Sequence, residues 1–233
     1  MVRLEKIDVD LSTSLWEVWR ILTEQEREIL RANATILYFK RNERIYREGD
    51  DAKDMMCLLQ GKVKISKQGV GGRNQIIRMI KPIQYFAYRA YFAREPYLTD
   101  ASAFEASKVC IIPMNVVDSL IRDNSKLAMF FIRQLSVDLG IADSRTVNLT
   151  QKHIRGRLAE SLLFLRNSYG YEEDGATISI YISREDLANL SNMTTSNAIR
   201  TLSTFVSEHI IELDRRKVKI IDEERLRRIS RMG

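Results

Sequence analysis

The sequence of 233 residues predicts an α+β fold: a β-roll of the jelly-roll type, then one long helix, then a C-terminal winged helix-turn-helix. Three observations predict this order. Short apolar runs split by turn residues extend from Ile36 to Met114. A segment without proline, Asn124–Gln151, repeats apolar residues at steps of three and four. Ser183–Phe205 has the pattern of two short capped helices joined by a tight turn.

The pattern of the N-terminal half predicts two short helices followed by the roll, in a sensor domain over residues 1–123. Helical spacing covers Leu15–Ala32, where Thr23 and Glu26 form a capping-box pattern. The runs that follow alternate or are continuously apolar, and glycine-containing turns separate them, which is typical of a small β-barrel or roll. Further strands are predicted around Ala101–Phe104 and Val109–Ile112.

The long helix, residues 124–151, carries a heptad-like apolar seam and is predicted to be a dimerisation helix. Besides Ala128, the seam residues are Ile132, Leu135, Leu139, Ala142, Thr146 and Leu149. The alternative is a core helix that lies on its own domain. The dimer is favoured because the seam is narrow and polar residues flank it, although Ala142 and Thr146 are weak knobs.

The C-terminal domain, residues 152–233, is predicted to begin with a helix over Ile154–Asn167 and to continue with a loop and a short strand over Thr177–Ile182. Ser183 and Thr194 are the predicted N-caps of the two helices that follow. Asn192 falls where the chain must turn sharply, and asparagine tolerates the left-handed conformation better than most residues. A helix-turn-helix places its second helix in the major groove of DNA.

Two sets of side chains are the candidates for DNA contact. The recognition-helix set is Thr194, Thr195, Ser196, Asn197 and Arg200, and the wing set is Arg215, Arg216 and Lys217. Arg200 lies one helical turn after Ser196 and can contact guanine O6 and N7 in a bidentate manner, so it is the expected specificity residue. The wing set lies on a hairpin predicted from Ile210 to Ile221, followed by a basic helix capped at Asp222, and its expected partners are phosphates.

Composition limits the other functional classes. A net charge of +6 permits a polyanionic partner but does not demand one. No catalytic triad, phosphate-binding loop or metal-ligand spacing is present, so we expect no enzyme. Cys57 and Cys110 lie in apolar runs and are expected to be small buried hydrophobes. The N-terminal MVRLEKIDVD has no apolar signal core and no run reaches membrane-spanning length, which predicts a cytoplasmic protein that does not enter a membrane.

The order of these parts resembles the Crp/Fnr family of bacterial transcription regulators. The family-like pieces in the roll are Arg47–Asp50, Leu59–Lys64 and Tyr85–Phe92, and those in the C-terminal half are HIRGRLAESLLFL and Ser183–Leu202. The latter stretch also resembles Crp-like regulators of the Bacteroidetes. The resemblance implies a cyclic-nucleotide-binding-type roll and a homodimer that binds double-stranded DNA at an inverted repeat and contacts RNA polymerase. The alternative is a cyclic-nucleotide-type module that regulates a partner protein.

Departures from the family motifs concern the effector. In cyclic-nucleotide-binding members a glutamate holds the ribose hydroxyls and an arginine pairs with the phosphate. Here Tyr88 replaces the glutamate, and Thr99 and Asp100 stand in the Arg-Ser place, where the Asp100 carboxylate would repel a phosphate. We therefore expect no cyclic AMP in the standard mode. Arg89, among aromatic residues, is a candidate for an anionic effector, or it forms a structural salt bridge.

An iron–sulfur cluster and a haem are the two further cofactors to consider. The iron–sulfur branch uses several N-terminal cysteines, and residues 1–56 contain none, which excludes that cluster. Binding of a haem is not excluded by the sequence, although His153 and His209 both lie in the predicted DNA-binding half.

The family reads bases with an Arg-Glu pair near the start of the recognition helix and an arginine one turn later. This chain has Thr195-Ser196 and keeps Arg200, so its DNA site should differ from the family standard.

Overall fold

The computed structural model describes residues 4–5 and 15–233, which divide into two compact units. The first unit comprises Met1–Gln68 and Ile77–Leu139, and the second comprises Gly69–Ile76 and Gly140–Gly233. The N-terminal MVRLEKIDVD, for which no signal core is predicted, lies outside the described residues except for Leu4–Glu5.

The first unit contains the β-roll and the helices that cover it. Its elements in chain order are β1 (Leu4–Glu5), α1 (Trp16–Trp19), α2 (Glu24–Asn33), β2 (Thr35–Phe39), β3 (Arg44–Tyr46), β4 (Asp54–Gln60), β5 (Val63–Gln68), β6 (Asn74–Ile80), β7 (Tyr85–Phe86), α3 (Tyr88–Ala93), β8 (Asp100–Ala103), β9 (Ser107–Pro113) and α4 (Met114–Asp123). β6 begins in the residues assigned to the second unit. The strands form two sheets, ordered β1-β2-β9-β4-β7 and β3-β8-β5-β6.

The continuous apolar run of β4 is buried on both faces, because successive side chains of a strand point to opposite sides. Met56 and Leu58 belong to a core cluster that takes side chains from both sheets. Met55 and Cys57 belong to a second core cluster, which the surrounding helices complete. In the register of β4 with β9, Cys57 lies opposite Cys110, and both side chains are buried, as predicted.

The capping box at the start of α2 is confirmed, since the Thr23 side chain accepts from Glu26 N and the Glu26 carboxylate accepts from Thr23 N. The helix α4 was not expected from the sequence, where its residues stand between the last strand and the long helix. Asn124 separates α4 from the long helix, because its Oδ1 accepts from Leu127 N at 3.2 Å while its Nδ2 donates to Ile21 O at 3.3 Å.

The long helix, α5, extends over Ser125–Gln151. Its N-terminal part packs on the roll through Leu127, Phe130 and Phe131, which are buried. From Ile132 onwards no apolar side chain of the helix is fully buried within one copy of the chain. Its last residues, 140–151, belong to the second unit.

The second unit contains α6 (Ile154–Tyr169), α7 (Arg184–Leu190), α8 (Thr195–Ser207), β10 (Ile211–Asp214), β11 (Lys217–Ile220) and α9 (Glu223–Met232). The strand expected over Thr177–Ile182 forms only isolated bridges, Tyr171 with Ile178 and Thr177 with Lys219. The chain bends there because Ile180 N donates to Ile178 O at 2.7 Å, a three-residue turn that ends the extended pairing.

Candidate nucleic-acid interface

The two helices of the helix-turn-helix are α7 and α8, and their side-chain caps are as predicted. Ser183 Oγ accepts from Asp186 N at 3.0 Å at the start of α7. Thr194 Oγ1 accepts from Asn197 N at 3.3 Å at the start of α8. Each cap satisfies an amide that has no partner inside its helix, which defines where each helix begins.

The turn between these helices is short and is held by its own backbone. Asn192 has a φ of 50°, the left-handed conformation predicted for it. Met193 N donates to Ala188 O at 3.1 Å, and the hydroxyls of Ser191 and Ser161 lie 2.8 Å apart. The turn is thereby fixed to α7 on one side and to α6 on the other.

The recognition helix α8 has one buried face and one exposed face. Ala198, Leu202 and Phe205 are almost fully buried in the second unit. Thr194, Thr195, Ser196 and Arg200 are exposed, and Asn197 is half-buried. Among the described residues the Arg200 guanidinium has no ion-pair or hydrogen-bond partner, so its five donors are available to a base edge.

The wing is the antiparallel hairpin of β10 and β11, with Arg215 and Arg216 exposed at its tip. Lys217 differs from them. Its Nζ lies 3.5 Å from Glu172 Oε2 and 5.0 Å from the centre of the Tyr181 ring. The hydrogen bond with Tyr181 and the Glu172 charge raise the pKa of Lys217. Within the predicted wing set, the side chains of Arg215 and Arg216 are therefore more available for contact with DNA than that of Lys217.

Arg184, on the first turn of α7, joins this surface and was missed from the sequence. Its Nη2 donates to Arg215 O at 2.9 Å, so it attaches the start of the helix-turn-helix to the wing tip. Burial lowers its pKa, and its Nη1 has no hydrogen-bond partner within the described residues. The one signal in the sequence was that Arg184 directly follows the N-cap Ser183. This places a basic side chain at the start of the helix-turn-helix.

The seam residues of α5 differ in exposure. Ile132 and Leu139 are 54% and 63% exposed, and Ala142 and Thr146 are also exposed. Leu135 is half-buried against the core that the helices share with the roll, and Leu149 is half-buried. Met129 and Val147, both exposed, add apolar area that the predicted seam did not include.

The residues at the family's effector positions do not form an open cradle. Tyr88 is 2% exposed, and its ring centre lies 5.3 Å from that of Phe131 and 6.2 Å from that of Phe92. Burial raises the pKa of Tyr88 to about 12, so its hydroxyl stays neutral. The Arg89 guanidinium lies 2.7 Å from the Glu95 carboxylate, which is the structural ion pair considered for it.

Thr99 and Asp100 lie at the start of β8, and Thr99 lies next to Tyr46. Thr99 Oγ1 is 3.4 Å from the Tyr46 hydroxyl, and Asp100 Oδ1 accepts from Glu48 N at 3.3 Å. Tyr46 stacks on Tyr97 with ring centres 4.0 Å apart. Burial raises the pKa of Tyr46, while the charges of Arg78 and Arg89 act against that shift. No pattern in the sequence predicted that Tyr46 and Tyr97 would stack next to the predicted effector residue Thr99.

Within residues 15–233, no three His, Cys, Asp or Glu side chains are placed to hold a metal ion. His153 and His209 are exposed. In the same part of the chain, no helix combines the length and apolar character needed to cross a membrane.

Comparisons with known proteins agree with this geometry. The family model described as "Cyclic nucleotide-binding domain" matches residues 36–124, and that described as "Crp-like helix-turn-helix domain" matches residues 156–229. The chain is 25% identical over 194 residues to the CRP-like cAMP-activated global transcriptional regulator of Mycobacterium tuberculosis, covering 83% of this chain and 87% of the relative. It is 26% identical over 189 residues to the anaerobic regulatory protein of Bacillus subtilis, covering 80% and 79%.

Among solved structures, FixK2 from Bradyrhizobium japonicum has a similar fold. The TM-score is 0.76 at 20% identity, with 84% of this chain and 96% of FixK2 covered. Both matched domains occur in this chain in the order that the sequence predicted, with α5 between them.

Proposed function

The chain belongs to the Crp/Fnr family of DNA-binding transcription regulators, whose members are not enzymes, and we propose that it acts as a homodimer on an inverted-repeat operator. In this proposal the roll binds an effector that controls the DNA-bound state. The protein acts in the cytoplasm and contacts RNA polymerase at its promoters. A regulatory module that acts only through a partner protein is not favoured, because such a module has no use for a complete winged helix-turn-helix.

The observation that carries the proposal is the exposed face of α8. The apolar face of this helix is buried, and Thr195, Ser196 and Arg200 face outward without intramolecular constraint on the arginine. An amphipathic helix after a tight turn, with hydroxyls and one guanidinium outward, fits the major groove. Arg200 contacts guanine in this proposal, while the hydroxyls contact bases or phosphates.

Cations beside α8 supply contacts to the DNA backbone. Arg215 and Arg216 lie at the wing tip, and Arg184 is bonded to that tip through the Arg215 carbonyl. An unpartnered guanidinium nitrogen in partly buried surroundings is costly, and a phosphate oxygen would satisfy it. We assign these three arginines to phosphate contacts, with a smaller role for Lys217 because Glu172 and Tyr181 already hold it.

Replacement of Arg216 by alanine tests the phosphate assignment. All DNA sequences should bind more weakly by a similar factor, and the slope of log affinity against log salt should fall by about 1 for each subunit, or about 2 for the dimer. Fluorescence anisotropy on operator and random duplexes over a salt series measures both quantities. Arg228→Ala removes an equally exposed cation from α9 and is the matched control, for which the slope should stay that of the unaltered chain. A loss of preference at one base pair instead would assign Arg216 to base reading.

The second copy in the proposed dimer lies along α5. Exposed apolar side chains continue along this helix through Ile132 and Leu139, and each would be covered by the same helix of a partner. Two recognition helices related by a twofold axis fit two half-sites about one turn of DNA apart.

Cyclic AMP does not suit the effector region of this chain. The family's ribose-binding carboxylate is replaced by Tyr88, which is buried against Phe131, and the place of the phosphate-binding arginine holds Thr99 and Asp100. Calorimetric titration of the full chain with cyclic AMP should therefore show no saturable heat of binding. Tight, saturable binding with one site per chain would refute this expectation. Mass spectrometry of the native protein for a retained ligand is the complementary search for the true effector.

A further inference from the structure

We propose that Arg157 is a positioning residue that fixes the helix-turn-helix to the end of α5 and thereby sets the spacing of the two half-sites. This inference rests on the proposed function, since spacing has meaning only for a dimer on an inverted repeat. Arg157 does not face the DNA-reading surface of α8. It lies on the first turn of α6 and is half-buried in the second unit.

The three guanidinium nitrogens of Arg157 each donate to a different backbone carbonyl. Nε donates to Ser191 O, Nη2 to Asn192 O and Nη1 to Lys152 O, each at 3.2 Å. The first two carbonyls belong to the turn of the helix-turn-helix. The third follows the last residue of α5, so one side chain joins the long helix to the DNA-reading turn.

The chemistry of these carbonyls suits a guanidinium. Ser191 is the C-cap of α7, and Lys152 follows the C-terminal residue of α5. The last carbonyls of a helix lack partners within it and carry the negative end of the helix dipole. A planar, permanently charged group with donors in several directions can satisfy both helix ends together, whereas the single ammonium of lysine presents its donors from one point.

The opposite end of the recognition helix is held from the same turn of α6. The Arg155 guanidinium is bonded to the Glu208 carboxylate at the C-cap of α8 and lies 5.0 Å from the centre of the Phe205 ring. Arg225 on α9 also binds that carboxylate, at 2.9 Å. The first turn of α6 therefore holds α8 at both ends.

The consequence concerns rigidity between α5 and α8. Residues 140–151 of α5 already belong to the same compact unit as the helix-turn-helix. With Arg157 in place, the turn before α8 cannot shift relative to the end of α5 without breaking hydrogen bonds. In the dimer, the two copies of α5 then hold the two recognition helices at one separation. Asn148 and Lys152 are also bonded to Glu160 of α6, so loss of Arg157 loosens this junction without freeing it, and operators of other spacing then bind with a smaller penalty.

The test compares the full chain with Arg157→Gln, Arg157→Lys and the control Arg228→Gln, which removes an exposed cation from α9. Each is titrated with operators whose half-sites are separated by the selected spacer and by one or two base pairs more or fewer. For Arg157→Gln, affinity for the selected spacer should fall about tenfold, the size expected for losing a charge-assisted hydrogen bond. Affinity for the altered spacers should change much less, so that the difference in affinity between the selected spacer and the altered spacers becomes smaller. Arg157→Lys should reduce the affinity difference between spacers in the same direction, because lysine keeps the positive charge but lacks the planar guanidinium with its several donors.

The outcomes separate a positioning role from general destabilisation. Size-exclusion chromatography and thermal unfolding of Arg157→Lys establish that the dimer and the fold persist. If the substitutions weaken all spacers equally, or leave the preference of the unaltered chain intact, Arg157 does not set the spacing. If the unaltered chain itself shows no spacer preference, the proposal of a dimer on an inverted repeat is wrong, and the role of Arg157 in spacing is wrong with it.

Discussion

Replacement of both Ile132 and Leu139 by glutamate is expected to convert the protein from a dimer to a monomer and to abolish tight operator binding. These side chains are more than half exposed in a single copy of the chain, so their removal costs the monomer little. In the dimer they would place four like charges in an apolar seam, where an unpaired charge is strongly unfavourable. Because two linked half-site contacts strengthen binding by about 10²- to 10⁴-fold, operator affinity should fall by a factor in that range.

Analytical ultracentrifugation measures the mass, and anisotropy with a full operator and with an isolated half-site measures the two affinities. The half-site affinity should change little, since α8 is untouched. The control Leu98→Glu alters an apolar side chain that is also exposed but belongs to the loop between α3 and β8. A double variant that remains dimeric would place the interface elsewhere on the chain.

Arg200→Ala has the second largest expected effect and tests how sequence is read. Loss of one bidentate contact with guanine should reduce discrimination by about 1–3 kcal/mol at a single base pair of each half-site. Because each of two subunits loses this contact, specific affinity should fall by roughly the square of that factor. Competition titration against operators mutated one position at a time measures both quantities.

Arg200→Lys is the matched second variant, because it keeps the positive charge and loses the planar guanidinium that can contact guanine through two hydrogen bonds. It should resemble alanine in base preference while binding random DNA like the unaltered chain. Arg200→Ala that preserves both operator affinity and base preference would mean that α8 docks in another orientation. In that case the exposed Thr195 and Ser196 would be the next residues to replace.

Local sequence rules predicted the DNA-reading end well because its signals are short-range. The caps at Ser183 and Thr194, the left-handed turn at Asn192 and the cap at Asp222 are each determined by residues no more than three positions apart. The buried face of α8 follows from apolar residues at helical spacing. These features need no knowledge of tertiary packing.

Contacts between distant segments could not be read in the same way. The bonds from Arg184 to the wing and from Arg157 to the turn join residues more than 30 positions apart. The same holds for the stack of Tyr46 on Tyr97, in which the Tyr46 hydroxyl lies 3.4 Å from Oγ1 of the predicted effector residue Thr99. The helix α4 was missed because it directly follows β9 and ends one residue before α5, so its apolar residues merged with their neighbours.

The most direct test of the account is selection of bound duplexes from random or genomic DNA by the purified full-length chain. We expect an inverted repeat whose half-sites are centred about one turn of DNA apart, each with a guanine that Arg200 specifies. The repeat should differ from the family standard because Ser196 stands where the family has glutamate. Enrichment of an isolated half-site, or of no motif at all, would contradict the dimeric, sequence-specific regulator proposed here.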